Sequence, residues 1–125
     1  CTGGFPSLKS SVLTLEPSKI LQKVTLAVSH GRKVGVITPL PEQIPQTKIS
    51  WQSIGIDPIL EAGSPYEDLA PVEEAALRLK AKDADLIVLD CMGFTDEAKD
   101  RVKGATGIPT MCARSIVRRV LGELA

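Results

Sequence analysis

The side chains of this 125-residue sequence best suited to nucleophilic or proton-transfer chemistry are three cysteines and one histidine. Cys91 stands out by its context. Asp90-Cys91-Met92-Gly93-Phe94-Thr95 follows the apolar run Leu86-Ile87-Val88-Leu89, so the thiol falls where a strand hands over to a loop and a helix. Backbone N–H groups and the positive end of that helix favour a thiolate there, and Gly93 lets a ligand come close to the backbone. Asp90 opposes this if its carboxylate lies beside the sulfur; alternatively it caps the helix or holds the loop. Free cysteines are also common small core residues. Position alone leaves Cys91 balanced between a reactive thiol and a buried one. Cys112, between Met111 and Ala113, fits core packing, and His30 before Gly31 fits a helix end. No C-x-x-C or H-x-x-x-H spacing occurs, so no metal site is expected. No G-x-G-x-x-G or Walker pattern is present either, and no cofactor is called for.

Four apolar, β-branched segments must position these groups: residues 34–38, 57–61, 86–90 and 109–113. Helical stretches separate them, the alternation of βαβ units. The near-continuous apolar runs at 34–37 and 86–89 suit strands covered on both faces. The first helix is expected to open at Pro17, carry Ile20, Leu21, Val24 and Val28 inward, and end at His30-Gly31. A second runs from Glu42 or Pro45 to Ile54, with Gly55 as its stop. The third puts Val72, Ala75, Ala76 and Leu79 on one face; opening it at Pro71 leaves Tyr66 in a loop. A fourth follows Thr95, with Ala98 and Val102 inward and Gly104 near its end. The last spans 115–124, with Ile116, Val120 and Leu124 on one face. The expected fold is α/β, a three-layer sandwich around a central four-stranded parallel sheet. In such sheets ligands bind beyond the C-terminal strand ends. Thr38, Gln43, Tyr66, Gly93 and Thr95 are therefore candidate substrate-binding residues.

Composition narrows the function classes. Fifteen basic residues balance fifteen acidic ones and aromatic content is 3%, so neither a basic field nor a stacking platform supports nucleic-acid binding. The apolar runs are too short for a bilayer and no signal peptide opens the chain, so no membrane association and a cytoplasmic location are expected. An odd number of cysteines beside an ample apolar share (43%) argues for free thiols. A homo-oligomer is compatible with the sequence. The opening Cys1-Thr2-Gly3-Gly4 reads like the loop after a strand, and the chain is expected to be a fragment of a longer protein.

The stretch Asp83-Ala84-Asp85-Leu86-Ile87-Val88-Leu89-Asp90-Cys91-Met92-Gly93-Phe94-Thr95 resembles the AroM family, a branch similar to the aspartate/glutamate/hydantoin racemases. Cys1-Thr2-Gly3-Gly4-Phe5-Pro6, Gly35-Val36-Ile37-Thr38-Pro39-Leu40-Pro41-Glu42-Gln43 and Ser64-Pro65-Tyr66 extend the likeness over essentially the whole chain. The resemblance implies two pseudo-symmetric α/β halves meeting at a cleft, of which this chain is one racemase-like half. It further implies a cofactor-independent racemase or isomerase, with one cysteine from each half working on opposite faces of a carbon beside a carboxylate or carbonyl. Carried over by motif, Cys91 is the second-half catalytic cysteine and Cys1 the first-half one, with Thr2 and Gly3 in a carboxylate-binding loop. The implied division is a remnant of the first half at 1–32, a racemase-like half at 33–113 and a C-terminal helix at 114–125. The expected ligand is a small carboxylate or carbonyl compound. Two alternatives stay open: a non-catalytic ligand-binding or sensor protein that keeps the cleft, and a redox or structural use of the thiols.

Overall fold

The computed structural model describes residues 8–9 and 14–125. A short antiparallel pair, β1 (Leu8–Lys9) and β2 (Thr14–Leu15), precedes α1 (Pro17–Ser29). The sequence reading placed no strands there, because two residues per strand leave no periodic signal. The α/β body follows as β3 (Val34–Thr38), a 3-10 turn (Pro41–Gln43), α2 (Ile44–Gln52), β4 (Ile59–Ala62), α3 (Ala70–Ala81), β5 (Leu86–Leu89), α4 (Asp96–Thr106), β6 (Thr110–Cys112) and α5 (Ala113–Leu124).

The expected four-stranded parallel sheet forms, in the order β4-β3-β5-β6. Period-2 alternation splits its side chains between two layers. Ile37, Ile87 and Leu89 face α3 and α4, meeting Val72, Ala75, Leu79, Ala98 and Val102. Val34, Val36, Leu86 and Val88 face the other side, with Leu21 of α1, Trp51 of α2 and Ala113 of α5. The result is the expected three-layer sandwich. β3 and β5 are buried throughout, as their apolar runs require. β4 is a half-buried edge strand; its Glu61 accepts from Arg78 Nε (2.6 Å) and Lys82 Nζ (2.7 Å), tying α3 to that edge.

Two glycines set how closely α3 approaches the sheet. A Cβ on Gly63 would fall 2.5 Å from the Pro71 carbonyl oxygen, and one on Gly35 would fall 2.9 Å from Leu79 Cδ1. The backbone neighbour makes Gly63 the stricter of the two, since a side-chain end can move and a helix carbonyl cannot.

Several expected details shift. The buried face of α1 is Pro17, Leu21, Gln22, Thr25 and Ser29, while Val28 is 49% exposed. Polar side chains can occupy that face because they find partners: Thr25 Oγ1 donates to Leu21 O (2.7 Å) and Gln22 Nε2 to Ser50 Oγ (2.7 Å). Gly104 lies near the end of α4 as expected, and the left-handed residue that ends the helix is Gly107. α5 begins at Ala113 and buries Ala113, Ser115 and Val117, leaving Leu124 exposed. β4 starts two residues later than its apolar pattern suggested, because pairing begins at Gly35 with Ile59. Among the described residues no helix is long and apolar enough to cross a membrane.

Candidate functional site

From β3 the chain moves outward to β4, then returns through α3 to β5 on the other side of β3. The connections leaving β3 and β5 therefore run in opposite directions, and the crevice between their C-terminal ends is the topological switch point. Thr38 closes β3 at this place, and the loop 90–95 follows β5. The sheet order thus brings the best sequence candidate to the position where such folds bind ligands.

The loop after β5 is ordered residue by residue. Asp90 N–H donates to Ile37 O (3.0 Å), continuing the ladder one residue past the strand. Alternation then sends Asp90 and Cys91 to opposite layers. The Asp90 carboxylate accepts from Trp51 Nε1 (2.9 Å) in the α2 layer. Cys91 belongs to the buried cluster on the α3/α4 side, with Ile37, Leu89 and Phe94 among its members. Asp90 thus holds the loop, one of the roles left open for it, and the N-cap of α4 is Thr95.

Beyond Cys91 the chain turns, Phe94 N–H donating to Cys91 O (3.2 Å). Within this turn Gly93 N–H donates to Cys91 Sγ (3.3 Å). The Tyr66 hydroxyl reaches the same sulfur at 3.6 Å from the loop between β4 and α3. This contact, with burial adding to it, holds the Tyr66 phenol above its ordinary range. Three elements clamp the turn from outside. Trp51 of α2 holds Asp90, Arg114 Nε of α5 donates to Met92 O (3.0 Å), and Cys112 Sγ of β6 donates to Phe94 O (3.0 Å).

Of the residues singled out in the sequence, Cys91, Gly93 and Tyr66 meet in direct contact. Thr38 and Gln43 gather at the end of β3, occupied locally: Thr38 Oγ1 donates to Leu40 O (3.2 Å), and Gln43 Oε1 accepts from Leu40 N–H (3.1 Å). Thr95 is the N-cap of α4, its hydroxyl accepting from Ala98 N–H (3.2 Å). Cys1, Thr2 and Gly3 lie outside the described residues. Cys112 is a buried core thiol. The sequence reading missed Trp51 and Arg114 as supports of the site. The opposed faces of Asp90 and Cys91 were available from strand alternation alone.

Among solved structures the fold is similar to allantoin racemase from Pseudomonas fluorescens, with 17% identity, a TM-score of 0.68, and 88% of this chain and 51% of that chain covered. Arylmalonate decarboxylase gives 20% identity and a TM-score of 0.63 over 82% of this chain and 48% of that one. A glutamate racemase isoform from Bacillus anthracis gives 15% and 0.63 over 90% and 50%. At such identities the likeness shows the fold alone, and the chain spans about half the length of these proteins. No curated protein matches by sequence. The sequence profile described as AroM protein, however, matches residues 1–125. With that match running the whole chain, on a fold similar to that of two racemases and a decarboxylase, the protein belongs to the AroM family.

Proposed function

We propose that the protein contributes half the active site of a cofactor-independent racemase or isomerase, acting at the α-carbon of a small carboxylate or carbonyl compound. The observation that carries this reading is the placement of the Cys91 sulfur at the switch point, with the Gly93 N–H and the Tyr66 hydroxyl converging on it. In the proposed reaction the Cys91 thiolate takes the α-proton, leaving the carbon's electron pair delocalised into the neighbouring carbonyl as an enolate. A second thiol, assigned to Cys1 by motif, returns a proton to the opposite face and becomes the thiolate. The net result is inversion, with one proton lost and one gained. Loop N–H groups are suited to the transient charge on the enolate, while that of Gly93 serves the sulfur itself. Racemising a centre beside a carbonyl and decarboxylating a malonate both place negative charge on such a carbon, so the names of the similar structures support the same intermediate.

The test is deuterium uptake at the α-carbon of small α-substituted carboxylates and hydantoins by the full-length protein, in parallel with Cys91→Ala. Uptake that disappears in the variant is expected. Unchanged uptake in the variant overturns the assignment. One observation favours a second reading, a ligand-binding protein without chemistry: the Cys91 side chain is only 1% exposed. Binding of these compounds with no deuterium uptake would select it.

A further inference from the structure

Cys91 ends at the open side of the sheet, yet it is only 1% exposed, and what covers it is unusual. Tyr66 is 65% exposed as a residue, but its hydroxyl lies 3.6 Å from the buried sulfur. That hydroxyl has no other hydrogen-bond partner among the described residues. The ring rests in a notch at Gly93, where a Cβ would fall 2.6 Å from the hydroxyl and 3.0 Å from Cε1 and Cζ. Gly93 is not among the positive-φ glycines, so its backbone tolerates alanine and the missing side chain serves to leave room. A largely exposed ring held by one contact to sulfur opens at little cost. Cys91 otherwise belongs to a buried cluster that includes Ile37, Leu89, Phe94 and Ala98, packed core that does not open locally.

We infer that Tyr66 is a gate over Cys91: seated in the Gly93 notch it closes the thiol off, and it must swing aside before any ligand reaches the sulfur. This deepens the proposed function and rests on it for the identity of Cys91 as the group being gated. The two fail separately, because gating is read without substrate.

The measurement is the rate of Cys91 alkylation by iodoacetamide in the full-length protein, located by peptide mass mapping, with Cys112 as the internal reference. The limiting rate at alkaline pH is compared, where the thiolate is fully formed and the rate reads access alone. Tyr66→Ala removes the gate, while Gly93→Ala fills its seat. Each should raise Cys91 labelling about tenfold, the factor expected if the closed state holds the site nine-tenths of the time. The double variant should label no faster than the faster single one, since both changes open the same gate. Unchanged Cys91 labelling in both single variants overturns the inference. So does a double variant in which the two effects multiply, or an equal rise at Cys112.

Discussion

Cys91 and Cys112 are two free, buried thiols at the same end of neighbouring strands, in one hydrophobic cluster, and their sulfurs are used in opposite ways. Cys112 is still inside the ladder, aligned with Leu89. Its sulfur donates to the Phe94 carbonyl at 3.0 Å, so the thiol proton is part of the packing. Cys91 lies two residues beyond that aligned pair, where the chain has begun to turn. Its sulfur accepts the Gly93 N–H and meets a tyrosine hydroxyl. The difference comes from where the strand stops. A cysteine within the ladder finds a carbonyl from a neighbouring loop, whereas one past its end is wrapped by its own turn and accepts the N–H of that turn. Residue type and burial do not separate a structural thiol from a candidate reactive one; the direction of the hydrogen bonds does.

The largest expected effect breaks the pair apart by activity. Cys91→Ala should lower α-proton exchange by about 10²–10⁴-fold, the usual worth of a positioned acid or base, while Cys112→Ala retains exchange; equal losses in kinetic assays would erase the distinction. Next is the loop that carries Cys91. Trp51→Phe removes the indole donor from the Asp90 carboxylate and should cost about 2 kcal/mol in denaturant unfolding, with faster amide exchange at Gly93 than at Cys112. Cys112→Ala opens a small void and takes the sulfur donor from the Phe94 carbonyl, so it should cost about 1–2 kcal/mol by the same measurement.

The smallest effect lies away from both thiols, at Glu61. Burial raises the pKa of its carboxyl, but the hydrogen bonds and charges of Lys82 and Arg78 outweigh it and hold the group below the usual carboxylate range. A depressed folded-state value contributes stability above the unfolded value and loses it as pH falls through the folded one. Glu61→Gln should therefore cost about 1 kcal/mol or less at neutral pH, given that both partners are half exposed. The gap between variant and parent should close in acid unfolding curves. A gap that persisted in acid would remove the pair from α3 anchoring and leave Gly63 and Gly35 as its determinants.

Much of this molecule was legible before its structure. The inward face of α3, Val72, Ala75, Ala76 and Leu79, is buried as its spacing predicts, and Tyr66 lies in a loop because Pro71 opens the helix. The burial of α1 was legible at Leu21 but not beyond it, since Thr25 and Ser29 take interior positions that hydrophobic periodicity assigns to Val24 and Val28. Periodicity weighs each side chain by its polarity, while a buried hydroxyl that donates to its own helix carries little of that penalty.

The candidate site divides along the same line. By itself the sequence determined the alternation of strands and helices, the parallel sheet, and a cysteine just past the end of a buried strand. These depend on neighbours a few residues apart, whose spacing local geometry enforces. Only the tertiary structure decided that β5 lies beside β3, that Tyr66 reaches Cys91 across 25 residues of chain, and that Trp51 draws Asp90 away across 39. Those meetings follow from strand order, a matter of long-range pairing that no local period records.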